Sequence, residues 1–147
     1  MQYTDKVLEH FRNPRNMGQI ENADGCGEVG NPVCGDMMRI TIKIDDETET
    51  IEDIKFTTFG CGAAIASSSV LTELIKGKTI TEALQVTNMD VVEELGGLPA
   101  IKVHCSVLAE NAIVAALYDY YQKHPQKEIP LELEKRAKAL ETAAADD

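Results

Sequence analysis

Residues 38–77 read MRITIKIDDETETIEDIKFTTFGCGAAIASSSVLTELIKG, and this stretch decides the fold. Met38, Ile40, Ile42 and Ile44 alternate with Arg39, Thr41, Lys43 and Asp45, the period of two expected of a half-buried strand. Asp46-Glu47-Thr48 reads as a turn, and Ile51 to Phe59 as a second strand with Ile54, Phe56 and Thr58 on one side. Two such strands joined by a short turn form an antiparallel hairpin within a small sheet. From Ala63 to Lys76 the period becomes helical, with Ile65, Val70, Leu71, Leu74 and Ile75 as apolar members and Gly77 as the stop.

Toward the N-terminus, Thr4 is a helix cap with Asp5 in the first turn, and Val7, Leu8 and Phe11 share a helical face that Asn13-Pro14 terminates. Residues 13–35 carry five Gly and two Pro with little periodicity, which predicts a long irregular segment. Toward the C-terminus, short helices follow Thr81 and Met89, and Gly96-Gly97-Leu98-Pro99 breaks the chain. A long helix then runs from about Ser106 to Lys123, stopped by Pro125. The pattern predicts an α+β fold, a small antiparallel sheet with helices packed on one face. Residues 1–124 form the main domain, and residues 125–147 an amphipathic helical tail with Leu133, Ala137 and Leu140 on one side.

A chain of 147 residues suits one domain with its own core. With 3 Phe, 4 Tyr and no Trp, that core is filled by aliphatic side chains. A net charge of -11 argues against nucleic acid as the main ligand, because phosphate binding needs a basic face. No apolar run approaches the roughly 20 residues of a membrane-spanning helix. The first residues lack the basic-then-apolar pattern of a signal peptide, so a cytoplasmic location is expected. In that compartment the four cysteines, Cys26, Cys34, Cys61 and Cys105, are expected to be reduced, which favours metal binding or reactivity over disulfides.

Three of the four share a setting. Cys34 precedes Gly35-Asp36 at a loop-to-strand junction, Cys61 lies between Gly60 and Gly62 at a strand-to-helix junction, and Cys105 follows His104 where the long helix begins. Glycine beside a ligand permits close approach, and a helix N-terminus favours the thiolate. Thiolates select zinc, copper(I) or an iron–sulfur cluster, with His104 or Asp36 available to complete a four-ligand set. The chain has no C-x₂-C pair of the kind that marks closed structural zinc sites. Ligands scattered over separate loops suit a site that opens, and a mixed shell suits a cluster donor better than an electron carrier. Cys26 reads as a packing or loop thiol, and His10 and His124 as surface residues. The Ser67-Ser68-Ser69 run has no nucleophile-elbow context and reads as small residues for close packing.

Val33-Cys34-Gly35-Asp36, Thr58-Phe59-Gly60-Cys61-Gly62-Ala63-Ala64-Ile65-Ala66-Ser67-Ser68-Ser69 and Lys102-Val103-His104-Cys105-Ser106 closely resemble the IscU/NifU iron–sulfur cluster assembly scaffolds. So does the opening Tyr3-Thr4-Asp5-Lys6-Val7 through Asn13-Pro14-Arg15-Asn16. The resemblance, over about residues 2–122, implies Cys34, Asp36, Cys61, His104 and Cys105 as exchanging ligands of a [2Fe–2S] cluster, with zinc an occupant of the cluster-free form. It implies a cysteine desulfurase as sulfur donor, Cys105 as persulfide acceptor, and apo iron–sulfur proteins as recipients. Such a scaffold is a carrier rather than an enzyme and acts as a monomer or homodimer. Bacterial IscU members dock an Hsp70-type chaperone through Leu-Pro-Pro-Val-Lys, which here reads Leu98-Pro99-Ala100-Ile101-Lys102 and departs at Ala100 and Ile101. The related SufU type typically lacks a histidine at the position of His104, so His104 favours the IscU-like reading.

Overall fold

Strands β1 (Gly25–Asn31), β2 (Asp36–Asp45) and β3 (Thr50–Phe59) pair antiparallel in the order β1-β2-β3. The computed structural model describes residues 3–31, 36–59, 62–98 and 103–145, the side chains of 31, 36, 104, 105 and 141–145 excepted. The alternation in β2 is realised: Met38, Ile40 and Ile42 are wholly buried and Ile44 nearly so. At the turn end of the hairpin the register shifts between Lys43 and Ile44, so that Ile44 pairs with Ile51 and Glu52 is the extra residue. That bulge returns Ile51 to the buried face beside Ile54 and Phe56 and leaves Glu52 exposed.

Among the described residues there are six helices: α1 (Asp5–Arg12), α2 (Gly62–Ile75), α3 (Ile80–Ala83), α4 (Asn88–Glu94), α5 (His104–Gln122) and α6 (Leu131–Ala145). Helix α5 lies over β1 and β2, α2 over β3, and the two pack on each other. The expected α+β layering holds, and β2, β3, α1, α2 and α5 fall where the periodicity puts them. Thr4 caps α1 by accepting the Val7 N–H at 3.1 Å. Phe11 departs from its expected face and is 46% exposed. Helices α3 and α4 begin earlier than the sequence reading places them, because Thr79 and Thr87 each close a capping box, with Glu82 and Asp90 respectively.

The irregular segment expected over residues 13–35 needs correction, since its second half contains β1. The first half does run without regular structure. The Phe56 N–H donates to the Asn16 carbonyl and the Gly18 N–H to the Phe56 carbonyl along the free edge of β3, and the Ile20 N–H reaches Thr41 Oγ1. Thr41, on the polar side of β2, is thereby buried. Strand β1 escaped the periodicity because it reads Gly-Cys-Gly-Glu-Val-Gly-Asn, a composition poor in strand formers. Its glycines answer to packing. A Cβ on Gly25 would stand 2.4 Å from the Ala116 carbonyl oxygen, and one on Gly27 at 2.4 Å from the Ala112 carbonyl oxygen.

The C-terminal end of α5 is fixed to the β2–β3 turn. Tyr120 donates to Asp46 Oδ1 at 2.7 Å and Tyr121 to Glu49 Oε1 at 2.5 Å. Burial, then those carboxylates, push both phenols above their ordinary pKa. His124, expected at the surface, stacks on the Tyr120 ring at 4.5 Å and bonds the Tyr120 carbonyl through Nδ1. Beyond Pro130, α6 sets Leu133 and Ala137 into the same core as α5, with Leu140 partly buried.

Helix α1 is held on α2 by a polar knot. The Arg15 N–H donates to Ser69 Oγ at 2.8 Å, and that hydroxyl lies 2.8 Å from Nδ1 of His10. His10 is therefore mostly buried, contrary to the sequence expectation. Ser67, Ser68 and Ser69 are wholly buried, as close packing of α2 requires. Burial, followed by the charge of Arg15, lowers the pKa of His10, with Glu73, Glu9 and Glu94 acting the other way.

Two outcomes are expected. Gly27→Ala forces α5 off β1 and costs about 1–3 kcal/mol, a fall of roughly 3–10 °C in thermal midpoint, whereas Glu28→Ala at the next, exposed position changes little. For His10 the unfolded chain takes up the proton first, so stability is complete above the unfolded pKa of about 6.5 and declines as pH falls below it. Wild type is expected to lose more thermal stability between pH 7.5 and 5.5 than His10→Asn, which keeps an acceptor beside Ser69 without titrating. Equal losses would contradict this assignment.

Candidate metal centre

Three element junctions meet at the end of the sheet opposite the β2–β3 turn. Strand β1 ends at Asn31, paired with Asp36, the first residue of β2. The next pair across is Met37 with Phe59, the last residue of β3. Cys34, between Asn31 and Asp36, and Cys61, between Phe59 and Gly62, lie outside the described residues, so the flanking elements locate the chain on either side of them.

The direction of α5 brings in the third junction. Gly25 lies against Ala116 and Gly27 against Ala112, so helix and strand run antiparallel. From Gly27 to Asn31 the strand advances about 13 Å, and from the middle of Ala112–Ala116 back to Cys105 the helix covers about 14 Å. The first turn of α5, which carries His104 and Cys105, therefore reaches the sheet end where β1 stops and β2 starts. The pins at Tyr120 and Tyr121 require the same direction from the other end.

Both helix starts at this end are electrostatically bare. Neither α2 nor α5 carries an acidic residue in its first turn, and Val103, the N-cap of α5, offers no side-chain hydrogen bond. The positive end of the helix dipole there favours thiolate and other anions. Ser106, wholly buried, turns its hydroxyl back onto the Val103 carbonyl at 2.6 Å.

The rim is apolar. Phe59 is 72% exposed and Val107 is exposed on α5. The ring of Phe11 lies over Gly62, 3.1 Å from where a Cβ would stand. None of these was singled out for the site by motif reading. For Phe59 the signal existed, since alternation puts it on the side opposite Thr58, where a large aromatic has no core to enter.

Cys26 stands apart. It pairs with Thr41 in mid-sheet, and its thiol accepts from Arg39 Nε at 3.4 Å. Five residues of strand, about 16 Å, separate it from the Asn31 end. Its strand neighbours Gly25 and Gly27 face α5, so Cys26 occupies the opposite face of the sheet. This suits a packing thiol better than a ligand. The described residues by themselves contain no group of three His, Cys, Asp or Glu placed to hold a metal ion.

A three-stranded antiparallel sheet layered with helices, its junctions gathered at one end, defines among the described residues a class of small α+β proteins. The chain belongs to the NifU-like N terminal domain family, whose model matches residues 2–127. It is 56% identical over 147 residues to the iron-sulfur cluster assembly scaffold protein IscU 1 of Archaeoglobus fulgidus, covering 99% of this chain and 95% of that one. It is 52% identical over 130 residues to the iron-sulfur cluster assembly scaffold protein IscU of Escherichia coli, covering 86% of this chain and 100% of that one. A nitrogen-fixing NifU-like protein (N-terminal) from Brucella abortus shares the fold with a TM-score of 0.64 at 20% identity, over 82% of this chain and 94% of that one.

Proposed function

We propose that this chain is a scaffold on which a [2Fe–2S] cluster is built from iron and persulfide sulfur and then handed to apo acceptor proteins. The cluster is cargo, and the chain is a carrier rather than an enzyme. The observation supporting this is the meeting of three junctions at one sheet end, with Asp36 and the His104-Cys105 turn on two of them and Cys34 and Cys61 in the adjoining chain, in a member of this family.

Cys34, Cys61 and Cys105 supply thiolates, and Asp36 or His104 completes the set. Exchange between a carboxylate and an imidazole lets the cluster leave, which four thiolates would oppose. Sulfur enters at Cys105: its thiolate attacks the outer sulfur of the persulfide on a cysteine desulfurase, and the desulfurase thiolate departs. Two electrons from a reductant then release sulfide and restore the Cys105 thiolate. The uncapped start of α5 favours the attacking anion. Zinc, which takes the same donors, occupies the cluster-free site. Among the described residues no helix is long and apolar enough to cross a membrane, in keeping with a cytoplasmic carrier. The altered chaperone-docking stretch, residues 98–102, lies outside the described residues beyond Leu98, and release by an Hsp70-type chaperone is part of this proposal only as an accessory step.

The test is anaerobic incubation with cysteine desulfurase, cysteine, a reductant and ferrous iron, followed by addition of apo-ferredoxin. A brown chromophore that transfers to the acceptor is expected, abolished by Ser at position 34, 61 or 105 and retained in Cys26→Ser. A colourless protein holding one zinc, still taking persulfide on Cys105, would replace this reading with that of a sulfur relay.

A further inference from the structure

The family model stops at residue 127, short of α6, and the Escherichia coli relative is matched over its whole length by 86% of this chain. Helix α6 lies beyond the stretch common to those two, although the Archaeoglobus fulgidus relative aligns over nearly the whole chain, and Leu133 and Ala137, with Leu140 partly buried, seat it in the core. Arg136 does something else. It is 21% exposed, donates through Nη1 to the Leu84 carbonyl at the end of α3 at 3.0 Å, and pairs through Nη2 with Glu110 Oε1 of α5 at 2.8 Å. Glu110 is equally sheltered, and its other oxygen accepts the N–H of Asn88, the first residue of α4, at 2.6 Å. The Asn88 side chain donates to Ser106 Oγ at 3.4 Å, and Ser106 donates to the Val103 carbonyl at 2.6 Å.

These bonds form one unbroken path from α6 to the first turn of α5, which has no side-chain cap. We propose that Arg136 is a positioning residue: through Glu110, Asn88 and Ser106 it fixes the turn that carries His104 and Cys105. This rests on the scaffold reading for its functional meaning.

The physical case lies in what each link lacks without the next. Val103 caps α5 with no side-chain bond of its own, and its carbonyl accepts twice from Ser106, from the backbone N–H at 3.0 Å and from the hydroxyl at 2.6 Å, so the hydroxyl is the side-chain bond that ties the turn to its cap. Ser106 is wholly buried and is steered by Asn88, whose backbone is held by Glu110. A half-buried carboxylate that loses its guanidinium partner must reach for water, and in moving it frees Asn88. Arg136 can be replaced while Leu133 and Ala137 stay in the core, so packing and positioning are separable by substitution.

The experiment compares wild type with Arg136→Ala, Arg136→Lys, Asn88→Ala and the double Ala variant. Amide exchange is followed at residues 103–108 against β2, and Cys105 alkylation by iodoacetamide is read by mass spectrometry. In Arg136→Ala, exchange at 103–108 is expected to rise about tenfold and Cys105 alkylation about threefold with β2 unchanged, and Arg136→Lys to recover part of both. Asn88→Ala is expected to reproduce the effect with α6 still protected, and the double variant to add nothing, as members of one path do not act additively. Unchanged exchange at 103–108, exchange rising only in parallel with β2, or additive single effects would each overturn the proposal. Neither readout requires a cluster. A wild-type protein that forms none in the reconstitution would overturn the scaffold reading alone, with positioning still decided by exchange and alkylation.

Discussion

Where β1 meets α5 there is no side-chain layer between strand and helix, because Gly25 and Gly27 let the backbone of Ala112 and Ala116 come down onto the strand itself. Close-packed interiors resist displacement by even one methyl group, so this contact sets the height, register and direction of the longest helix. Its direction carries His104 and Cys105 toward the end of the sheet at which β1 stops and β2 and β3 are joined to their neighbours. A helix laid the other way would leave them beside the β2–β3 turn, more than a strand's length distant.

The far end of α5 answers a different requirement. Tyr120 and Tyr121 are large, sheltered, and tied by their hydroxyls to carboxylates on the turn. Anchoring there removes freedom from the whole rod, while the opposite end is left without a side-chain hydrogen bond from its cap. Order is concentrated at the end to which no chemistry is assigned, and the end that carries His104 and Cys105 is held more sparingly. The same logic holds for α2, whose small buried serines fit it between sheet and α1 and whose first turn is likewise free of acid.

Much of this was legible before any coordinates. Period-two alternation located β2 and β3, whose buried faces are lined by alternate apolar residues, and the cap Thr4 and the stop at Pro125 bounded α1 at its start and α5 at its end. The strand that matters most was invisible for a physical reason: β1 is selected for what its residues lack, and propensity reads only what they have. His10 looked like a surface residue since its burial depends on Ser69, nearly sixty positions away. The site residues came from motif and resemblance. That their junctions share an end of the sheet follows from pairing register and from the lie of α5, and neither is written locally in the sequence.

The segment between α1 and β1 pairs with β3 through Asn16 and Gly18, and on the other side the first outward N–H of β1, that of Cys26, is taken by Asp119 Oδ2 at 2.9 Å. Both margins of a three-stranded sheet are in this way partly closed from within. An exposed strand margin is a template on which another chain can lengthen a sheet, and closing part of each margin withholds it. Contacts made through exposed rings such as Phe11 and Phe59 form and part without unzipping a ladder of backbone bonds.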